Sequence, residues 1–191
     1  MTARNRLPPW HEEIRLANGR QVLIRPIRPA DAEPLRAAFA LLEPDEVRQR
    51  FLYAKTELSP ETANRLTQPN PKSEFVLVAA EPYTPGDALV GAVARAAVLP
   101  GTRQAEFHIL VSHYVAGMGL GRHMLRRLVR WAKGKRLERI FGDVLEENEP
   151  MLALAKSLSF QQQAVEAPGM VRVSLELKKQ IVDTTPNVRL G

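Results

Sequence analysis

Gly117, Gly119 and Gly121 place three glycines within five residues, and from Leu120 onward apolar residues recur at helical spacing: Leu120, Met124, Leu125, Leu128, Val129 and Ala132. The glycines therefore stand where a helix begins. Glycine adopts φ > 0 and lets a ligand approach the backbone closely. At a helix start, free N–H groups meet the positive end of the helix dipole, which makes an anion site. The stretch is not a Walker loop, because no Gly-Lys-Ser/Thr follows at the required spacing. It is not the dinucleotide fingerprint either, since Arg122 stands where the third glycine belongs. Just upstream, the alternating run Gln104 to Val111 puts Glu106, His108 and Leu110 on one face and Phe107, Ile109 and Val111 on the other. A carboxylate and an imidazole one pleat apart can exchange protons with a substrate. Equally, such a pair can be a surface glutamate and a structural histidine. Asn148, followed by Glu-Pro, reads as a helix N-cap with proline in the first turn. His11, His108, His113 and His123 show no ligand spacing and the chain has no cysteine, so neither a metal site, a disulfide nor a thiolate nucleophile is expected.

The elements that must hold these residues can be read along the chain. Residues 1 to 12 form an arm. Glu13 to Ala17 and Arg20 to Arg25 flank Asn18-Gly19, a hairpin signal in which both central residues are expected at φ > 0. Asp31 is placed to cap a helix from about Ala32 to Leu42. Pro44 starts a second short helix through Phe51, and Ser59-Pro60-Glu61 caps a third to about Leu66. Strands follow at Glu74 to Ala80 and Leu89 to Leu99, then the strand carrying Glu106. The tight turns between them imply antiparallel pairing. The long helix after Gly121 implies a parallel crossover to a strand at Arg139 to Val144. A helix from Asn148 to about Phe160, a short strand, and a last strand at Val171 to Leu177 complete the domain, 13–178. The tail, 179–191, reads as loosely ordered. Tyr114, Met124 and Trp131 are read as packing residues.

The 191 residues suit one domain with a sizeable core. An apolar fraction of 45% and a charged fraction of 25% are ordinary for a globular protein. No run approaches the ~18 apolar residues of a membrane span, and no secretory leader is visible, so a cytoplasmic setting is expected. The net charge of +6 reads as a basic surface. Without a basic-aromatic motif it makes nucleic acid an unfavoured partner.

Ala116-Gly117-Met118-Gly119-Leu120-Gly121 resembles the Gln/Arg-x-x-Gly-x-Gly/Ala signature of GNAT N-acetyltransferases, with Ala116 departing from the pattern. Asn148 to Phe160 resembles the family's second motif, with Ser159 in place of the usual glycine and Ala155 where many members have a tyrosine. The hairpin, the run Val22 to Asp31 and the segment Leu42 to Phe51 are similar to the acetyltransferase domain of bacterial protein-lysine acetyltransferases. The likeness covers about Ile14 to Leu177. Those relatives often carry a fused regulatory region, and no such region lies within this sequence. The resemblance implies a mixed α/β GNAT fold: a mostly antiparallel sheet of six to seven strands flanked by helices, with splayed parallel central strands. It implies acetyl-CoA as co-substrate and an amine acceptor, a protein lysine being favoured. It makes Glu106 the general base, in a partly buried site that raises its pKa, with His108 as rival or relay. It pairs the backbone of Ile109, Leu110 and Val111 with the pantetheine arm, and an N–H of Leu110 or Val111 polarises the thioester carbonyl. Ala116, Gly117, Met118, Gly119, Leu120, Gly121 and Arg122 hold the pyrophosphate; Arg126 is within reach of it but, with Arg127 and Arg130, reads first as part of a solvated face. Asn148 meets the pantetheine amides. Ala155 cannot act as general acid, so water, another donor or direct loss of thiolate is expected.

Two other readings stay open. A small-amine acetyltransferase would have a closed, acid-lined acceptor pocket. An acyl-CoA-binding sensor would bind without turnover. The oligomeric state, monomer or homodimer, is not fixed by the sequence.

Overall fold

The computed structural model describes residues 8–45 and 58–177. The expected tail, most of the expected second helix and the first seven residues lie outside these. The strands are β1 Glu12–Arg15, β2 Gln21–Pro26, β3 Glu74–Ala80, β4 Val90–Val98, β5 Gln104–Val111, β6 Arg139–Leu145, β7 Gln161–Ala164 and β8 Met170–Glu176. They form one eight-stranded sheet in the order β1-β2-β3-β4-β5-β6-β8-β7. The sequence reading expected six or seven strands. Among the described strands, only the β5–β6 pair is parallel, as the intervening helix requires.

The described helices are α1 Ala32–Ala40, α2 Pro60–Leu66, α3 Leu120–Gly134 and α4 Glu149–Ser157. They cover opposite faces of the sheet. Leu120, Met124, Leu125, Leu128 and Trp131 of α3 join Leu77, Ala94, Ala105 and Phe107 in one buried cluster, which Ala155 of α4 also enters. Leu35 and Phe39 of α1 and Ala63 of α2 join Val76, Val78 and Val90 in the other. Since Ala105 and Phe107 face α3, Glu106, His108 and Leu110 face the side of α1 and α2.

Three local expectations change. In the β1–β2 hairpin only Gly19 has positive φ, at 85°. The Gly19 N–H donates to Leu16 O at 2.9 Å and Leu16 N–H to Arg20 O at 2.8 Å, so the turn is a three-residue type with a bulge at glycine. Asp31 precedes α1 but makes no cap bond. Its carboxylate is instead taken by Arg25, Nη1 to Oδ2 at 2.7 Å and Nη2 to Oδ1 at 2.8 Å, in a fully buried pair. Tyr114 does not pack inside: it is half exposed, its ring centroid 3.9 Å from that of His113.

At the end of α4 the structure explains a departure from the family pattern. Ser159 adopts φ 68°. Phe160 N–H donates to Ala155 O and Ser159 N–H to Lys156 O, both at 3.0 Å. These are the two bonds of a Schellman cap, whose left-handed residue is normally glycine. The backbone shape is kept while the residue type is not.

Candidate active site

The site is organised by the place where β5 and β6 part. Their parallel register runs only through Gln104↔Arg139, Ala105↔Ile140 and Glu106↔Phe141. At the next position, a Cβ on Gly142 would lie 2.9 Å from the Phe107 ring and 3.0 Å from its carbonyl oxygen. Glycine is therefore needed where the strands are last in contact, and beyond it the edge of β5 is unpaired toward β6. Which N–H groups face that gap follows from period-two alternation. Ser112 N–H donates to Gly91 O of β4 at 2.9 Å, and β5 pairs with β4 without a register shift. The N–H of Leu110 therefore also faces β4, while those of Ile109 and Val111 face the gap. Of the two expected donors, Leu110 is thus committed to the sheet and Val111 is free to serve.

A groove of about 400 Å³ opens there. Of the residues expected to hold the cofactor, Ile109, Leu110, Val111, Ala116, Gly117, Gly119, Leu120, Gly121, Arg122 and Asn148 line it. Met118 does not: its side chain packs against the core. Gly117 and Gly119 have φ of 71° and 84°, and Gly119 is the N-cap of α3. At the entrance to α3, His123 N–H donates to Gly119 O at 3.2 Å. The N–H groups of the preceding turn are thus left for an acceptor outside the helix. A Cβ at Gly117 or Gly119 would meet no protein atom within 4 Å, so the space above the turn is open to a ligand. Gly121 differs: its Cβ would lie 3.1 Å from Leu154 of α4, so this glycine sets the approach of two helices. These features fit a pyrophosphate and its tether.

The far wall comes from α4. Asn148 Oδ1 caps the helix, accepting from Met151 N–H at 3.2 Å; its amide NH₂ remains a donor. Pro150, Met151 and Leu154 supply an apolar wall that sequence reasoning did not single out. Their signal was apolar spacing within α4 immediately after Asn148. Ala155 is fully buried in the core, so the position carries no group toward the groove. Arg122 bonds Ser157 Oγ at 2.6 Å, bracing the start of α3 against the end of α4. Arg126 is exposed on α3 and does not line the groove.

Glu106 lies on the other side of the sheet, with 34% of its side chain exposed and His108 at 26%. His108 Nε2 is 3.7 Å from Glu106 Oε1, an ion-pair separation longer than a good hydrogen bond. The polar contact from His108 is the main influence on the Glu106 carboxyl and lowers its pKa. Burial opposes this, the His108 charge adds to it, Asp143 opposes and Arg172 lowers again, leaving the pKa below the usual 4.5. The expected rise on burial is therefore corrected: neighbouring cationic groups outweigh desolvation. Arg172 is itself held by Asp143 through bonds of 2.7 and 2.8 Å and lies 4.4 Å from the Phe141 ring centroid. A small crevice joins His108 and Asp143 to Asn148 and Met151 across the splay. Glu106 is anionic at neutral pH and sits one strand face away from the groove. Among the described residues, no group of three or more His, Asp or Glu could hold a metal ion, and no helix is long and apolar enough to cross a membrane.

Residues 21–161 match the family model described as Acetyltransferase (GNAT) domain. The chain belongs to the GNAT acetyltransferase family and is an acyltransferase. Among solved structures it is similar to the GNAT domain of S. lividans PAT, at 22% identity and TM-score 0.77 over 90% of this chain and all of that one. It is similar to a ribosomal-protein-alanine N-acetyltransferase from Brucella melitensis, at 21% identity and TM-score 0.63 over 81% of this chain and 99% of that one. It also matches a cAMP-binding acyltransferase from Mycobacterium smegmatis, at 21% identity and TM-score 0.58 over 92% of this chain. The chain spans about half the length of that protein, 49%.

Proposed function

We propose that residues 13–178 form an acetyl-CoA-dependent N-acetyltransferase acting on a primary amine, with a protein lysine as acceptor, by direct attack in a ternary complex. The observation that carries this reading is the juxtaposition of the two half-sites. A glycine turn and an unpaired strand edge line one groove, and an ionised carboxylate waits across the same strand.

The backbone N–H groups of Gly117 to Arg122 hold the pyrophosphate. The β5 edge at Ile109 and Val111 pairs with the pantetheine arm, and the Asn148 amide meets its carbonyl. Acetyl-CoA supplies the activated acyl group. Val111 N–H donates to the thioester oxygen as negative charge grows there. A lysine ammonium, with a pKa of about 10.4, must lose a proton before it can attack. A carboxylate held below the usual range is a poor direct base for that proton. Glu106 therefore attracts the ammonium and relays its proton to solvent, directly or through His108, rather than storing it. Ala155 offers no proton, so the thiolate leaves unaided or takes a proton from water or from another donor.

Two points support a protein acceptor. Glu106 and His108 are each a quarter to a third exposed, which suits a side chain presented from outside rather than an enclosed small amine. The Brucella neighbour is named for a protein acceptor. The test is calorimetric binding of acetyl-CoA to wild type and Gly119→Glu, followed by turnover on lysine peptides in wild type and Glu106→Gln. Binding lost in the first variant and turnover lost in the second are expected. Binding without turnover on any amine would leave a sensor in place of an enzyme.

A further inference from the structure

On the acceptor side of the sheet, an apolar cavity of about 50 Å³ lies under α1 and α2, against β4 and the end of β5. Leu35 and Phe39 close it from α1, and Val90, Val93 and Leu110 form its floor. Its origin is a break in the β3–β4 ladder. Ala79 pairs with Ala92 and Ala80 with Val90, so Gly91 is the extra residue of a bulge. Its carbonyl accepts the Ser112 N–H, continuing the β4–β5 ladder past the bulge. Bulges bend a strand and re-aim its side chains, and here the bend leaves space between β4 and α1.

Two features tie this space to the site. Leu110 borders both the cavity and the 400 Å³ groove, so the two spaces meet at this residue of β5. Ser112, two residues further along the same face, is 7% exposed and borders the cavity, and its Oγ has no hydrogen-bond partner among the described residues. Buried hydroxyls are ordinarily satisfied. This one faces a space lined mostly by apolar side chains and directly follows Val111, whose N–H faces the gap, so it lies within roughly 4 Å along the strand of that donor.

We propose that the cavity receives the acyl carbons beyond the acetyl methyl, so that the protein transfers three- and four-carbon acyl groups, and that Ser112 Oγ hydrogen-bonds a hydroxyl at acyl C3. This rests on the acyl-CoA reading of the groove. A single water needs roughly 10 to 15 Å³, so a cavity of about 50 Å³ takes two carbons and a hydroxyl but not a long chain. The chemistry is unchanged by chain length. The amine nitrogen forms the C–N bond, the C–S bond breaks with its electron pair leaving on the CoA sulfur, and the amine proton passes through Glu106 or solvent to end on the thiol.

The test is kcat/KM on one lysine peptide with acetyl-, propionyl-, butyryl-, 3-hydroxybutyryl- and octanoyl-CoA. Propionyl and butyryl are expected within about tenfold of acetyl, and octanoyl at least ~100-fold lower, since each misfitted methylene changes binding by roughly 10-fold or more. 3-Hydroxybutyryl should exceed butyryl, and Ser112→Ala should remove that preference. Val93→Phe fills the cavity without touching the groove. It should cut butyryl turnover by about tenfold or more while acetyl stays within about twofold. Ala38→Leu, entering from α1, is the second filler should Val93→Phe fail to fold. A wild type that uses acetyl-CoA alone, or fillers that lower every acyl-CoA alike, would overturn the inference. Failure of any acyl-CoA to bind by calorimetry would instead remove the parent reading.

Discussion

Replacing Arg25 by methionine tests the bulkiest fully buried side chain among the described residues. The guanidinium and the Asp31 carboxylate meet at 2.7 and 2.8 Å with 2% and 0% of their side chains exposed. Methionine keeps the aliphatic stem and removes both bonds. Asp31 then retains only the Arg28 N–H at 2.8 Å, too little for a carboxylate sealed from water. Removing one partner of a buried pair costs roughly 3–5 kcal/mol, a large share of the 5–15 kcal/mol or so that holds a domain folded. At this chain length about 1 kcal/mol moves Tm by roughly 2–4 °C, so a fall of about 6–20 °C is expected. Urea unfolding followed by circular dichroism gives the free energy directly. Adding Asp31→Leu should restore more than half the loss, because the double variant no longer strands a charge. A single-variant loss below about 1 kcal/mol, the range of surface pairs, would refute the reasoning. So would a double variant no more stable than the single.

Ser159→Gly relieves a left-handed serine and should stabilise the protein by about 1 kcal/mol, read as a raised urea midpoint at unchanged slope. Gly142→Ala drives a methyl into the Phe107 ring and carbonyl, and should cost about 1–3 kcal/mol and lower acetyl-CoA affinity by changing the splay; a neutral melt would count against the contact. The carboxyls of Glu106 and Glu74 both have folded pKa values below the usual 4.5. For Glu74, burial acts upward but is outweighed by the Asn70 N–H and Arg95. Both groups therefore bind fewer protons folded than unfolded between the folded and unfolded values. Their stabilisation is complete above about pH 4.5 and is lost as pH falls through the lower folded values. Urea titrations from neutral to acid pH should show a shallower acid slope in Glu106→Gln than in wild type. Glu106→Gln should also lower kcat by about 10²–10⁴-fold with acetyl-CoA affinity unchanged; equal kcat would remove Glu106 from the proton path.

What could be read from the sequence was local. β3 falls at Glu74–Ala80, where the sequence reading put a strand, and α2 starts on the Ser59 cap, whose Oγ accepts the Thr62 N–H. The glycine turn was legible because φ > 0 is a single-residue demand. What failed depended on partners distant in the chain. Asp31 looks like a cap until Arg25 is folded against it. Glu106 looks like a carboxyl raised by burial until His108 and Arg172 are counted. Trp10, read as part of an arm, has its ring edge-on to Phe75 at 4.8 Å, with Arg130 above it. Which of Leu110 and Val111 turns its N–H toward the ligand was open too, since that depends on pairing with β4.

The β5–β6 ladder of three residue pairs has a consequence beyond catalysis. Among the described residues it is the only strand pairing between the five strands on one side and the three on the other, so the sheet carries a mechanical seam along its middle. A ligand lying on the free edge of β5 adds rungs where the protein has none and stitches that seam shut. At a concentration ~100 times its Kd, such a ligand stabilises the folded chain by about 2.7 kcal/mol through mass action. Protease resistance, and with it the lifetime of the protein in a cell, would then follow the supply of its own acyl donor.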